Sequence, residues 1–283
     1  MATAGECSRL ATVTPPGKNG DPAHSFGATL RYPWVMTYRV ATLLVLMLLP
    51  LVGEAALRMA DLADREAVIE HATHMGDARY LSELSIELEG EKGRGAAAPL
   101  VPYYAALAAY RAAEIDDDVE FRVGVLLDRC IENARSALEI DEKFAEAMAL
   151  IGACHGLAAS RQPLSAIIAG NFSARELKRA IALEPENPRV RMLNAVTVLR
   201  RFEDATRRVQ AKGDLETALT AYELPPEGQP DLPSWGEEHA HLWLAEALRR
   251  DGDLQRARDH VEQARLLSPP ATQVPERITA LRR

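Results

Sequence analysis

A chain of 283 residues that is 47% hydrophobic and 26% charged can bury a core, which excludes a disordered polymer. Its formal charge of -8 excludes a nucleic-acid surface of the usual kind, because displacing counterions from phosphates takes a net basic face. Aromatics make up only 5%, and Ala, Leu, Arg and Glu dominate, so the composition predicts an all-α chain with helices in contact through small side chains.

Residues 1–35 are rich in Gly, Pro, Thr and Ala and show no period; they read as a disordered extension, or as sequence upstream of a true start at Met36. The segment 36–55 has the layout of a secretory signal peptide. Arg39 supplies a positive flank, Val40 to Val52 an apolar run of 13 residues, and Gly53-Glu54-Ala55 a cleavage site before Ala56. A spanning helix takes about 20 apolar residues, and this run is shorter and broken by Pro50. The expectation is a periplasmic or secreted protein whose membrane contact is through that segment alone; the alternative is an uncleaved inner-membrane anchor at 40–55. No Cys follows the apolar run, which argues against a lipoprotein.

Residues 56–95 hold one helical pair, "DREAVIEHATHMG" and "ARYLSELSIEL", followed by the loop "EGEKGRGAAAP". Residues 96–270 then alternate between helical runs. "VPYYAALAAYRAAEI" and "LLDRCIENARSALEI" flank the insert "DDDVEFR"; "AEAMALIGACHG" and "FSARELKRAIALEP" flank an insert from Leu157 to Gly170. "PRVRMLNAVTVL" and "KGDLETALTAYELP" flank a third, from Arg200 to Gln210, and the last pair lies within "EHAHLWLAEALRRDGDLQRARDHVEQARLLSP". Residues 271–283 are a C-terminal tail or helix. Punctuation supports the division. Pro185 ends one helix, Asn187 is placed to cap the next, and Pro188 takes the first helical position, where a missing N–H costs nothing. Ser234-Trp235-Gly236-Glu237 reads as a capping box. Gly213 and Gly252, each followed by Asp, read as left-handed turns inside two of the pairs.

This pattern resembles the tetratricopeptide repeat, a helix-turn-helix unit of about 34 residues. The last pair fits best: Ala245, Ala257 and Ala264 take the small-residue positions, Leu244, Leu248 and Val261 the large ones, Gly252 the turn and Pro269 the closing proline. His241 departs from it, standing where an aromatic is usual. Gly152-Ala153-Cys154-His155-Gly156, the "NPRV" turn at Asn187 and Trp235-Gly236-Glu237 are similar to segments of an exported bacterial subgroup. The resemblance covers about Tyr103 to Pro269 and implies a right-handed α-solenoid of tetratricopeptide-like hairpins. Such solenoids bind a peptide or protein segment on the concave face made by the first helix of each pair.

That implication points to a non-catalytic interaction scaffold in the bacterial envelope. Its contact positions hold Arg189, Met192 and Val196 in one unit and Leu242, Glu246 and Arg249 in another. The Lys and Asn of the carboxylate-gripping subset are replaced here by Ala149, Met192, Leu242 and by Ala153, Val196, Glu246, so no carboxylate clamp is expected. The face is largely apolar, and two readings stay open: a groove for an apolar segment or for self-association, or a surface covered by a neighbouring helix. A second function class is an oligomerising component of an envelope assembly or transport system, holding a small apolar ligand.

Chemistry has little support in the sequence. His71 and His74, and His239 and His241, lack further ligands at metal spacing and read as solvent-facing side chains. No nucleophile elbow, zinc-protease motif or phosphate-binding glycine loop occurs, so neither enzymatic activity nor a cofactor is expected. Cys130 and Cys154 lie at matching heights on two antiparallel helices. They are either a disulfide, which requires Cα atoms within about 7 Å, or two buried thiols.

Overall fold

Ten helices account for most of the residues that a computed structural model describes, which are 61–267 without 92–96, 117–119, 162–165 and 225–231. The segment 36–55 with the layout of a signal peptide, residues 1–35 and the tail 271–283 lie outside them. The helices are α1 (residues 61–74), α2 (Ala78–Glu89), α3 (Leu100–Ile115), α4 (Glu120–Ile140) and α5 (Ala145–Arg161). They continue as α6 (Ala166–Leu183), α7 (Pro188–Arg201), α8 (Ala205–Glu223), α9 (Glu237–Arg250) and α10 (Leu254–Leu267). No strand occurs among the described residues, so the fold is all-α.

Each helix from α2 to α9 packs on the one that follows it, and α3, α5, α7 and α9 also touch in succession, giving a helical repeat-like architecture. Arg65 ties α1 to the end of α2, donating to Glu87 at 2.7 Å and Glu91 at 2.8 Å. Small residues set the close approaches. Ala137, Ala180, Ala195, Ala218 and Ala240 are fully buried. At Gly152 a Cβ would stand 2.7 Å from Leu177 Cγ, so only a glycine lets α5 lie this close to α6.

The joint before α7 forms as its sequence dictates: the Asn187 side chain accepts from the N–H groups of Arg189 at 3.0 Å and Val190 at 3.2 Å, and Pro188 opens the helix. Gly252 turns between α9 and α10 with φ at +84°. Three expectations need correction. Gly213 is not a turn; it lies inside α8, which begins eight residues earlier because Asp204 caps it by accepting from the Arg207 N–H. The inserts are mostly helix, since α5 runs on to Arg161, α6 starts at Ala166, and only residues 202–204 separate α7 from α8. Ser234 does not cap α9. The cap position is Gly236, at φ +114°, and the Ser234 hydroxyl bonds to Glu66 instead.

Candidate functional site

The face shared by α3, α5 and α7 is core. Ala149, Ala153, Met192 and Val196 are all buried, and so is Arg189 at 3% exposure. Of the six residues expected to meet a partner, Arg189, Met192 and Val196 are therefore closed to one in this structure; the neighbouring-helix reading of that face is the one the structure shows. Leu242, Glu246 and Arg249 do lie at the surface of α9, where Glu246 is tied to its own helix by Arg249 at 2.7 Å and Arg250 at 2.8 Å. Those hydrogen bonds, that of Arg249 foremost, hold the Glu246 carboxyl at a pKa of about 2.

A polar seam runs through this interior. Tyr103 of α3 donates to Glu146 of α5 at 3.1 Å and accepts from the Trp235 indole at 3.0 Å. Glu146 also accepts from Asn187 at 2.9 Å and from Arg189 at 2.8 Å, so a buried carboxylate and a buried guanidinium neutralise each other. Burial by itself lowers the Arg189 pKa, but the Glu146 charge and hydrogen bond, together with Tyr222 and Tyr103, outweigh it and the pKa is raised. Further along α3, Arg111 donates to Glu114 at 2.7 Å, and Arg200 reaches from α7 to Glu114 at 2.6 Å and to the Tyr110 hydroxyl at 3.0 Å.

The seam joins the start of the described chain to α9. Three residues spaced four apart on α1 form one polar stripe. Glu66 accepts from the Tyr104 hydroxyl at 2.5 Å and from Ser234; Glu70 lies 3.3 Å from His239 Nδ1; His74 Nδ1 lies 3.3 Å from Glu238. Burial pushes the Glu66 carboxyl above its ordinary value despite those donors. It would do the same to Glu70, but His239 and Arg111 outweigh it and the pKa falls. His71 is buried and His239 is part-buried against Glu70, so neither is the solvent-facing side chain its sequence suggests. His241 meets His260 of α10, Nδ1 to Nδ1 at 2.9 Å. Among the described residues no three His, Cys, Asp or Glu side chains are grouped to hold a metal ion.

Cys130 of α4 and Cys154 of α5 are joined in a disulfide with Cα atoms 6.6 Å apart, both side chains buried. It pins two helices whose outer sides, with α6, form a groove of about 260 Å³. The apolar lining is Leu127, Ile131, Ala158, Ile168, Ala169 and Phe172. His155 and Asp128 stand at its edge. The His155 ring stacks on Phe172 at 5.3 Å, and burial, with the Arg135 charge beside it, lowers its pKa, which keeps it neutral at pH 7. Of this lining Ile168 is 64% and Phe172 39% exposed, and Ile167, next to Ile168 in the chain, is 81% exposed. Large apolar side chains concentrated in this way stay in water only at a cost, and they mark a surface that gains by being covered.

Asp128 also lines a cleft of about 500 Å³ between α4 and the end of α2, with Glu89, Arg129, Glu132, Asn133 and Ser136. Sequence reasoning missed this outer face because it follows the second helices of the pairs. The signal that could have found it is "SAIIAGNF", where Ile167 and Ile168 fall on a stretch read as an insert and Phe172 opens the helical run after it. No family model matches the chain, and no curated protein matches it.

Proposed function

We propose that the chain is a non-catalytic interaction scaffold, a right-handed solenoid of tetratricopeptide-like hairpins in the bacterial envelope, and that it takes its partner on the outer face of α4, α5 and α6. The observation that carries this reading is the apolar groove with Ile167, Ile168 and Phe172 exposed around it. The concave face is the weaker candidate, because its apolar side chains are already packed and its charges already paired. Burying the exposed part of two Ile side chains and a Phe supplies a driving force of a few kcal/mol before association costs. The polar seam serves this role by holding the hairpins rigid, so that the outer face is preformed.

A photoreactive amino acid placed at Ile168 of the full chain, in cells that produce it, tests the reading. A discrete adduct is expected there, absent with the same group at Arg256 on the far hairpin and lost when Phe172→Glu is added. Equal labelling at both positions, or none at Ile168, overturns it. Fractionation of the same cells places the chain in the envelope or outside it.

A further inference from the structure

We infer that the occupant of the outer face is a basic amphipathic segment, with its apolar side chains in the groove of α4, α5 and α6 and its Lys or Arg side chains over the cleft between α2 and α4. This rests on the outer-face reading and adds the chemistry of the partner.

Two features side by side carry it. Asp128 lines both the apolar groove and the neighbouring cleft, so the two form one path across α4. The path changes character as it crosses. The groove is apolar, whereas the cleft has three carboxylates, Glu89, Asp128 and Glu132, against one guanidinium, Arg129. Arg129 is already engaged, lying 3.1 Å from Glu89 and 3.4 Å from the Ser82 hydroxyl. Asp128 and Glu132 are exposed, one turn apart, and neither forms an ion pair among the described residues. Arg135 is also exposed on α4 but lines neither hollow.

A ligand that complements this surface has an apolar stripe and, one helical turn away, cations placed to meet Asp128 and Glu132. An acidic segment would meet like charge at the cleft. The anionic surface of a lipid leaflet and a nucleic-acid backbone are disfavoured for the same reason.

The probe is a synthetic helix of Leu and Lys in amphipathic spacing, compared with a twin that has Glu in place of every Lys. Both are titrated onto the oxidised full chain by fluorescence anisotropy. The Leu/Lys helix is expected to bind at least about tenfold tighter than its twin, and to lose about tenfold at about 1 M salt, where charges beyond about 3 Å are screened. Asp128→Lys with Glu132→Lys should remove that preference while circular dichroism stays unchanged, since both side chains are solvent-facing. Phe172→Glu should weaken both peptides.

The two readings fail separately. If both peptides bind equally, and Phe172→Glu weakens both, the outer face binds but the charge inference is overturned. If neither peptide binds while Ile168 cross-links to a segment without Lys or Arg, the inference again fails and the outer-face reading stands. If the adduct is a second copy of the chain, the inference fails too. With no binding and no adduct, both readings fall.

Discussion

Glu66 on α1 accepts the backbone N–H of Ser234, 168 residues further along, at 3.0 Å, and takes the Ser234 hydroxyl as well. A buried carboxylate that collects its donors from two distant segments fixes both, because losing either leaves a polar group without water or partner. Glu66→Ala should therefore cost about 2–3 kcal/mol, since it strands the Tyr104 hydroxyl and the Ser234 N–H together, and Ser234→Ala about 1 kcal/mol. A double-mutant cycle by urea unfolding should show coupling of about 1 kcal/mol. If Ser234→Ala costs the same with and without Glu66, the two ends are not held by this contact.

Acid should loosen the seam through Glu114. Burial acts to raise the pKa of this carboxyl, but Arg200 and Arg111 outweigh it and bring it to about 2 from an ordinary 4.5. A carboxyl with a depressed folded pKa stabilises the fold above its unfolded value, and loses that contribution as pH falls from about 4.5 to about 2. Glu70, also lowered, acts in the same direction; Glu66, raised, acts in the opposite one. The contribution from Glu114 is on the order of 3 kcal/mol. Glu114→Gln should be less stable at neutral pH and show a shallower decline on acidification. An unchanged slope in urea midpoint against pH would contradict this assignment.

How much of this was legible in the sequence depends on what each residue answers to. Asn187 and Pro188 act on their own helix start, through local backbone geometry, and their roles could be read directly. The helix pairs were legible for the same reason, since the period of apolar residues reports a face whatever covers it. Ser234 was misread because its local option, capping α9, lost to a carboxylate on α1 that no sequence spacing connects to it. Met192 and Val196 sit where the repeat pattern puts a ligand, yet side chains from other helices fill that space. Charges did carry a signal: Glu146 stands alone among the apolar residues of "AEAMALIGACHG", and an isolated acid in a buried run needs a cation, which Arg189 supplies.

Reducing the disulfide between Cys130 and Cys154 should destabilise the chain without changing its fold. The bridge closes a loop with a sequence separation of 24, and constraining a loop of that length in the unfolded chain is worth about 3 kcal/mol. Both sulfurs are buried between α4 and α5, so the reduced chain keeps their packing. Reductant should lower the urea midpoint of the wild type and leave that of Cys130→Ala with Cys154→Ala unaltered. Alkylation of both Cys130 and Cys154 in the unfolded, unreduced wild type, mapped by mass so that Cys7 is not counted, would rule the bridge out.

Two glycines inside helices should answer substitution with opposite signs. At Gly152 a Cβ meets Leu177 Cγ at 2.7 Å and the Leu177 backbone nitrogen at 3.2 Å, and backbone cannot swing aside as a side-chain tip can. Gly152→Ala should force α5 and α6 apart and cost about 1–3 kcal/mol. At Gly213, within α8, a Cβ meets nothing within 4 Å, and φ is not in the left-handed region. Gly213→Ala removes backbone entropy from the unfolded chain and should stabilise by about 0.5–1 kcal/mol. The comparison separates a helical Gly213 from a turn at that position. In a turn with positive φ the same alanine would be strained and destabilising, so a fall in thermal midpoint for Gly213→Ala would restore the turn and shorten α8 at its start.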